Sequence, residues 1–100
     1  VYKRQTQQLA AGDIHPALEG AELSNYGEEV RGMGSGAVRV DAVAPGSPAA
    51  LRGLEEGDFI VTVNRIRVRT LEEMREVAEG QNLLIGGLRR GSRNLLLQIR

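Results

Sequence analysis

The chain has 100 residues, 13 of them basic and 13 acidic, with one Phe, two Tyr, no Trp and no Cys. That length fits one domain with one core, which aliphatic side chains must supply. Cancelling charges give no overall field for nucleic acid or an anionic membrane, and the absence of cysteine removes disulfides, thiolate metal sites and cysteine nucleophiles.

Residues 1–14 are polar, with Gln5, Gln7 and Gln8 around a small apolar patch at Leu9 to Ala11, and show neither strand nor helix period. They read as a linker or the tail of a preceding module. No apolar run approaches the roughly 18 residues of a membrane span, and VYKRQTQQLAAGD lacks the apolar centre of a signal peptide; were the protein exported, its signal would lie upstream. ALEGAEL places Leu18 and Leu23 near an extended segment centred on Gly20 and Ala21. SNYGEEVRGMGSG, with four glycines, reads as a flexible loop.

AVRVDAV alternates Val38 and Val40 against Arg39 and Asp41, as a half-buried strand does. In GSPAALRG, Ser47 is a cap, Pro48 suits the first helical position and Gly53 stops a helix of under two turns. EEGD predicts a tight turn with Gly57 at positive φ. DFIVTVN follows as a central strand with Phe59, Val61 and Val63 on one face and Ile60 on the other, its end marked by Asn64.

RIRV predicts a short return strand. Thr70 and Glu73 form a Thr-x-x-Glu capping box before a helix whose apolar stripe is Leu71, Met74, Val77 and Ala78, ended by Gly80. NLLIGGLRRGSRNLLLQIR predicts two strands around a turn at Gly91. The sum is a mainly β, α+β domain with two helices: a five- to six-stranded antiparallel barrel or sandwich capped by helices.

Catalytic chemistry is not predicted. His15 is the only histidine and stands before Pro16, with no spacing that joins it to Ser24, Ser35 or Ser47 in a triad. GMGSG is neither a nucleophile elbow, which needs glycines where Met33 and Ala37 stand, nor a phosphate loop. No spaced ligand set implies a metal, and no cofactor is implied. Arg65, Arg67 and Arg69 lack aromatic partners and read as a solvated strand face.

APGSPAALRGLEEGDFIVTVN resembles the core signature of bacterial PDZ domains: a Gly-Ser-Pro-Ala helix start, Gly-Leu, an acidic-Gly-Asp turn and a hydrophobic strand closing in Asn. PALEGAEL, AVRVDAVAPGSPAA, NRIRVRTLEEMREV and GLRRGSRNLLLQIR follow the order of the second, C-terminal PDZ domain of HtrA/Deg-type periplasmic serine proteases of the DegP/DegQ branch. The resemblance spans residues 15–100. PDZ modules of other envelope proteases and secretion-system scaffolds share the central stretch and remain an alternative.

This resemblance implies a non-catalytic module acting in periplasmic protein quality control, with the protease domain upstream. Its implied partners are unfolded or C-terminal segments of substrate proteins and neighbouring protomers, with no nucleic acid and no membrane insertion. Peptide would bind by strand addition between an extended segment at Leu18, Glu19, Gly20, Ala21, Glu22 and Leu23 and a helix wall at Leu71, Met74 and Ala78. Affinity on the order of micromolar or weaker is expected. Glu19 falls within the family's carboxylate loop, where its charge repels a peptide terminus unless it points to solvent, which favours an assembly role. The binding account requires a backbone edge beside the second helix that is unpaired and open to another chain.

Overall fold

The computed structural model describes residues 8–10, 12, 14–30 and 34–99. Six antiparallel strands run in the order β1 (Gln8–Ala10), β2 (Ala21–Val30), β3 (Gly34–Val43), β4 (Phe59–Val63), β6 (Leu84–Arg90) and β7 (Arg93–Ile99). The two-residue β5 (Ile66–Arg67) pairs with β4 off that path. Two helices, α1 (Pro48–Leu51) and α2 (Leu71–Ala78), and a 3-10 turn, η1 (Pro16–Leu18), complete it. The architecture is the α+β arrangement expected, but β1 and β7 are the two ends of the path, so the sheet does not close into a barrel.

The local end signals act as their chemistry requires. Ser47 Oγ accepts from the Ala50 amide at 3.2 Å to start α1. Thr70 Oγ1 accepts from the Glu73 amide at 3.1 Å, while Glu73 Oε1 reaches the Arg69 amide at 2.7 Å, one residue upstream of a strict capping box. Leu18, Leu23, Val38, Val40, Ile60, Val63, Met74, Leu84, Leu88 and Ile99 share the main core, beneath α2.

Two expectations are corrected by bulges. The stretch 24–36, read as a flexible loop, is for the most part strand. β2 and β3 pair from Ala21↔Val43 to Val30↔Gly34, across a register shift between Tyr26 and Glu29, and residues 31–33 lie outside the described set. In β4 the partners step from Ile60↔Leu88 to Thr62↔Gly87, which leaves Val61 as an extra residue. That extra residue reverses the alternation. Val63 joins Ile60 in the main core, while Phe59 and Val61 join Val30, Ala37 and Tyr26 in a second cluster.

Arg67 is not part of a solvated stripe. Its guanidinium donates to the carbonyls of Val61 at 3.3 Å, Val68 at 2.7 Å and Gly36 at 2.8 Å, clamping the bulge. Burial, and then the charge of Arg69, lower its pKa.

The β4–β5 hairpin turns on Asn64 and Arg65, both at positive φ, 53° and 71°. Asn64 also joins β4 to β6: its Oδ1 accepts from the Ile85 amide at 2.8 Å and its own amide donates back to the Ile85 carbonyl at 2.9 Å. Two-residue hairpin loops of this kind favour Asn-Gly, because a side chain at positive φ costs about 1 kcal/mol. Arg65→Gly is therefore expected to stabilise the protein by about 0.5–1 kcal/mol, seen as a rise of a few degrees in Tm; an unchanged or lower Tm would count against the turn geometry.

Candidate functional site

The site predicted from sequence lies where η1, β2 and α2 meet. Its loop is organised by His15. The His15 Nδ1 accepts from the Ala17 amide at 3.1 Å, which leaves Nε2 to donate to the Gln81 carbonyl, 3.2 Å away just beyond α2. The Leu18 amide donates to the His15 carbonyl at 2.9 Å and the Glu19 amide to the Pro16 carbonyl at 3.2 Å. The amides of Ala17, Leu18 and Glu19 are thus engaged by the loop itself. The next carbonyls are also taken: Ala49 donates to Glu19 at 3.0 Å and Ala44 to Gly20 at 2.8 Å, which docks the start of α1 on the loop. Gly20, at φ 101°, lies against Ser47 with no room for a Cβ.

β2 leaves this loop with Ala21 and Leu23 buried and Glu22 exposed. A register shift between Glu22 and Leu23 leaves Asp41 as the extra residue of β3, where its Oδ1 accepts from Ser24 Oγ at 3.0 Å. On its other side β2 is paired antiparallel with β1, in the register Gln8↔Ser24, Leu9↔Leu23 and Ala10↔Glu22. The expectation of an open edge beside α2 is therefore overturned at residues 22–24: the chain's own strand occupies it. The polar glutamines around Leu9 hid this strand, because three residues paired to a partner well down the chain need no periodicity of their own.

α2 is tied to β2 at its start, where the Leu71 amide donates to Asn25 Oδ1 at 2.7 Å. Asn25 has no signal in sequence, standing between Ser24 and Tyr26 in a polar, glycine-containing segment. Leu71, Met74 and Ala78 form one buried face, and Met74 is 0% exposed. They join Leu18, Ala21 and Leu23 in the main core. Of the residues predicted to line the groove, Glu19 and Glu22 are exposed and Gly20 is half-buried, whereas the apolar ones are buried in the core. A shallow depression lined by Ile14, Arg75, Glu76 and Glu79 opens where residue 14 passes α2.

His15 has its ring atoms engaged in structural bonds, Ser24 bonds Asp41, and Ser47 caps α1, so these residues do not come together as a nucleophile and base. Among the described residues no group of three or more His, Cys, Asp or Glu is placed to hold a metal ion. The arrangement is a strand edge between a loop and a helix, with backbone groups as its chemistry.

A PDZ domain family model matches residues 39–89. The chain is 41% identical over 96 residues to the periplasmic pH-dependent serine endoprotease DegQ of Escherichia coli (strain K12), a match covering 95% of this chain and 20% of that protein. It is 34% identical over 91 residues to the periplasmic serine endoprotease DegP of the same organism, covering 90% and 18%. The crystal structure of the HtrA3 PDZ domain bound to a phage-derived ligand, FGRWV, superposes with a TM-score of 0.64 at 24% identity, over 95% of this chain and 85% of that one. The chain spans about one-fifth of the length of the curated relatives it matches, and the match does not include their protease domain. With half its length under the family model and the fold to match, the chain belongs to the PDZ domain family.

Proposed function

We propose that the chain is the non-catalytic, peptide-binding module of a Deg-type periplasmic serine endopeptidase of protein quality control, binding segments of substrate proteins or of neighbouring protomers by strand addition. The observation that carries this reading is the PDZ family match together with the kinship to DegQ and DegP over 90% or more of the chain; because β1 already pairs with residues 22–24, a partner strand must take its place at that edge. Main-chain bonds to Glu22, Leu23 and Ser24 supply affinity without regard to sequence. Leu18, Ala21, Leu71, Met74 and Ala78 support that edge from the core, and Glu19, Gly20 and Glu22 line the rim. The periplasmic names of the relatives support that location.

The HtrA3 ligand FGRWV is a ready probe. Titrated into the isotopically labelled chain, it is expected to shift amide resonances of residues 20–25 and 71–78 saturably, with Kd on the order of micromolar or weaker. Shifts confined to other parts of the molecule, with none in these two segments, would overturn the assignment.

A further inference from the structure

We propose that this groove is built for an internal, extended stretch of polypeptide rather than a chain terminus, and that β1 is its resident intramolecular ligand; the inference rests on the peptide-binding reading above. The antiparallel register sends the chain from Gln8, opposite Ser24, to Ala10, opposite Glu22, and so toward the η1 loop. A terminus read by the loop would stop there. Here the chain goes on: a Cβ placed on Gly12 would lie 3.4 Å from both Cβ and Cγ of Glu19, so the backbone passes directly over the loop.

Three amides of the loop are closed to a carboxylate. The amides of Ala17, Leu18 and Glu19 are already bonded to His15 and Pro16, and exposed Glu19 sets a negative charge beside the path. A terminal carboxylate finds no free donor among these three amides. A continuing peptide backbone needs none of them, because β2 supplies its bonds. An outside segment must first displace β1, so its apparent affinity falls by the fraction of molecules in which the edge is open.

The test uses the whole chain and two probes cut from its own sequence: N-acetylated Gln5–Asp13 with an amidated C-terminus, and Gln5–Ala10 ending in a free carboxylate. Substituting Gln8→Pro, Leu9→Pro and Ala10→Pro together removes every β1 donor. The amidated probe is expected to bind this variant at least about tenfold more tightly than the unsubstituted chain, the factor for an edge occupied in nine molecules of ten, and more tightly than the carboxylate probe does. Because the chain has no cysteine, Ala10→Cys with Glu22→Cys offers a second arm that keeps β1 in place. Oxidation of that pair should abolish binding and reduction restore it.

Equal affinities for the proline variant and the unsubstituted chain, or full binding by the oxidised pair, would overturn the resident strand. A carboxylate probe that binds tenfold more tightly than the amidated one would overturn internal recognition while leaving peptide binding intact. No saturable binding of either probe or of FGRWV to any of these proteins would remove the peptide-binding reading itself.

Discussion

Arg90→Met is expected to destabilise the protein by about 3–5 kcal/mol, the range for removing one partner from a buried ion pair, measured as a lower urea midpoint at unchanged slope. The acid it would strand is Asp58, 1% exposed at the turn before β4. Asp58 Oδ1 accepts from Arg90 Nε and Oδ2 from Arg90 Nη2, both at 2.7 Å, and Oδ2 also accepts from the Glu55 amide at 3.0 Å. Without the guanidinium, one amide bond is left to hold a buried charge. The second Nη2 contact, to the Gly53 carbonyl at 2.8 Å, would be lost as well, loosening the end of α1.

The hydrogen bond to Asp58 also raises the pKa of Arg90, so the guanidinium keeps its charge. Asp58→Asn should cost less than Arg90→Met, because Asn still accepts from Glu55 and the Arg90 side chain, 31% exposed, retains access to water. Glu55, at 3.4 Å but 66% exposed, contributes little. Equal losses for the two variants, or a loss below about 1 kcal/mol for Arg90→Met, would show that the pair does not hold the turn.

Gly20→Ala comes next, at about 2–4 kcal/mol. At φ 101° a side chain is strained by roughly 1 kcal/mol, and a Cβ there would collide with Ser47 Cβ and Oγ, an overpacking cost of about 1–3 kcal/mol. The two contributions separate by a second substitution. Ser47→Gly clears the space and costs only a few tenths of a kcal/mol as a cap, so the double variant is expected to recover the packing share and retain the backbone share. If Gly20→Ala alone unfolds at the same urea concentration as the parent, the docking of α1 on the loop is wrong.

What could be read in the sequence was what is decided locally. Ser47-Pro48 and Thr70-Glu73 start helices through bonds spanning three residues, and Gly91 at φ 61° turns one strand into the next, so short windows suffice. The bulges at Asp41 and Val61 were illegible, because an extra residue in a strand is defined by its partner. For the same reason Gly27, Gly34 and Gly36 suggested a loop where a long hairpin stands. At the site, the stripe of Leu71, Met74 and Ala78 was legible as apolar. That it is wholly buried in the core, and that β1 fills the edge of β2, depends on packing and pairing that no periodicity announces.

β2 is anchored twice, and in opposite directions. Leu23 points into the main core, whereas Tyr26 and Val30 pack behind the sheet with Phe59, the two rings 4.7 Å apart between centres and inclined at 50°. A rail bolted on both sides does not depend on its cargo for alignment. When β1 departs, β2 remains a fixed template, and exchanging one passenger for another is a transaction at the rim.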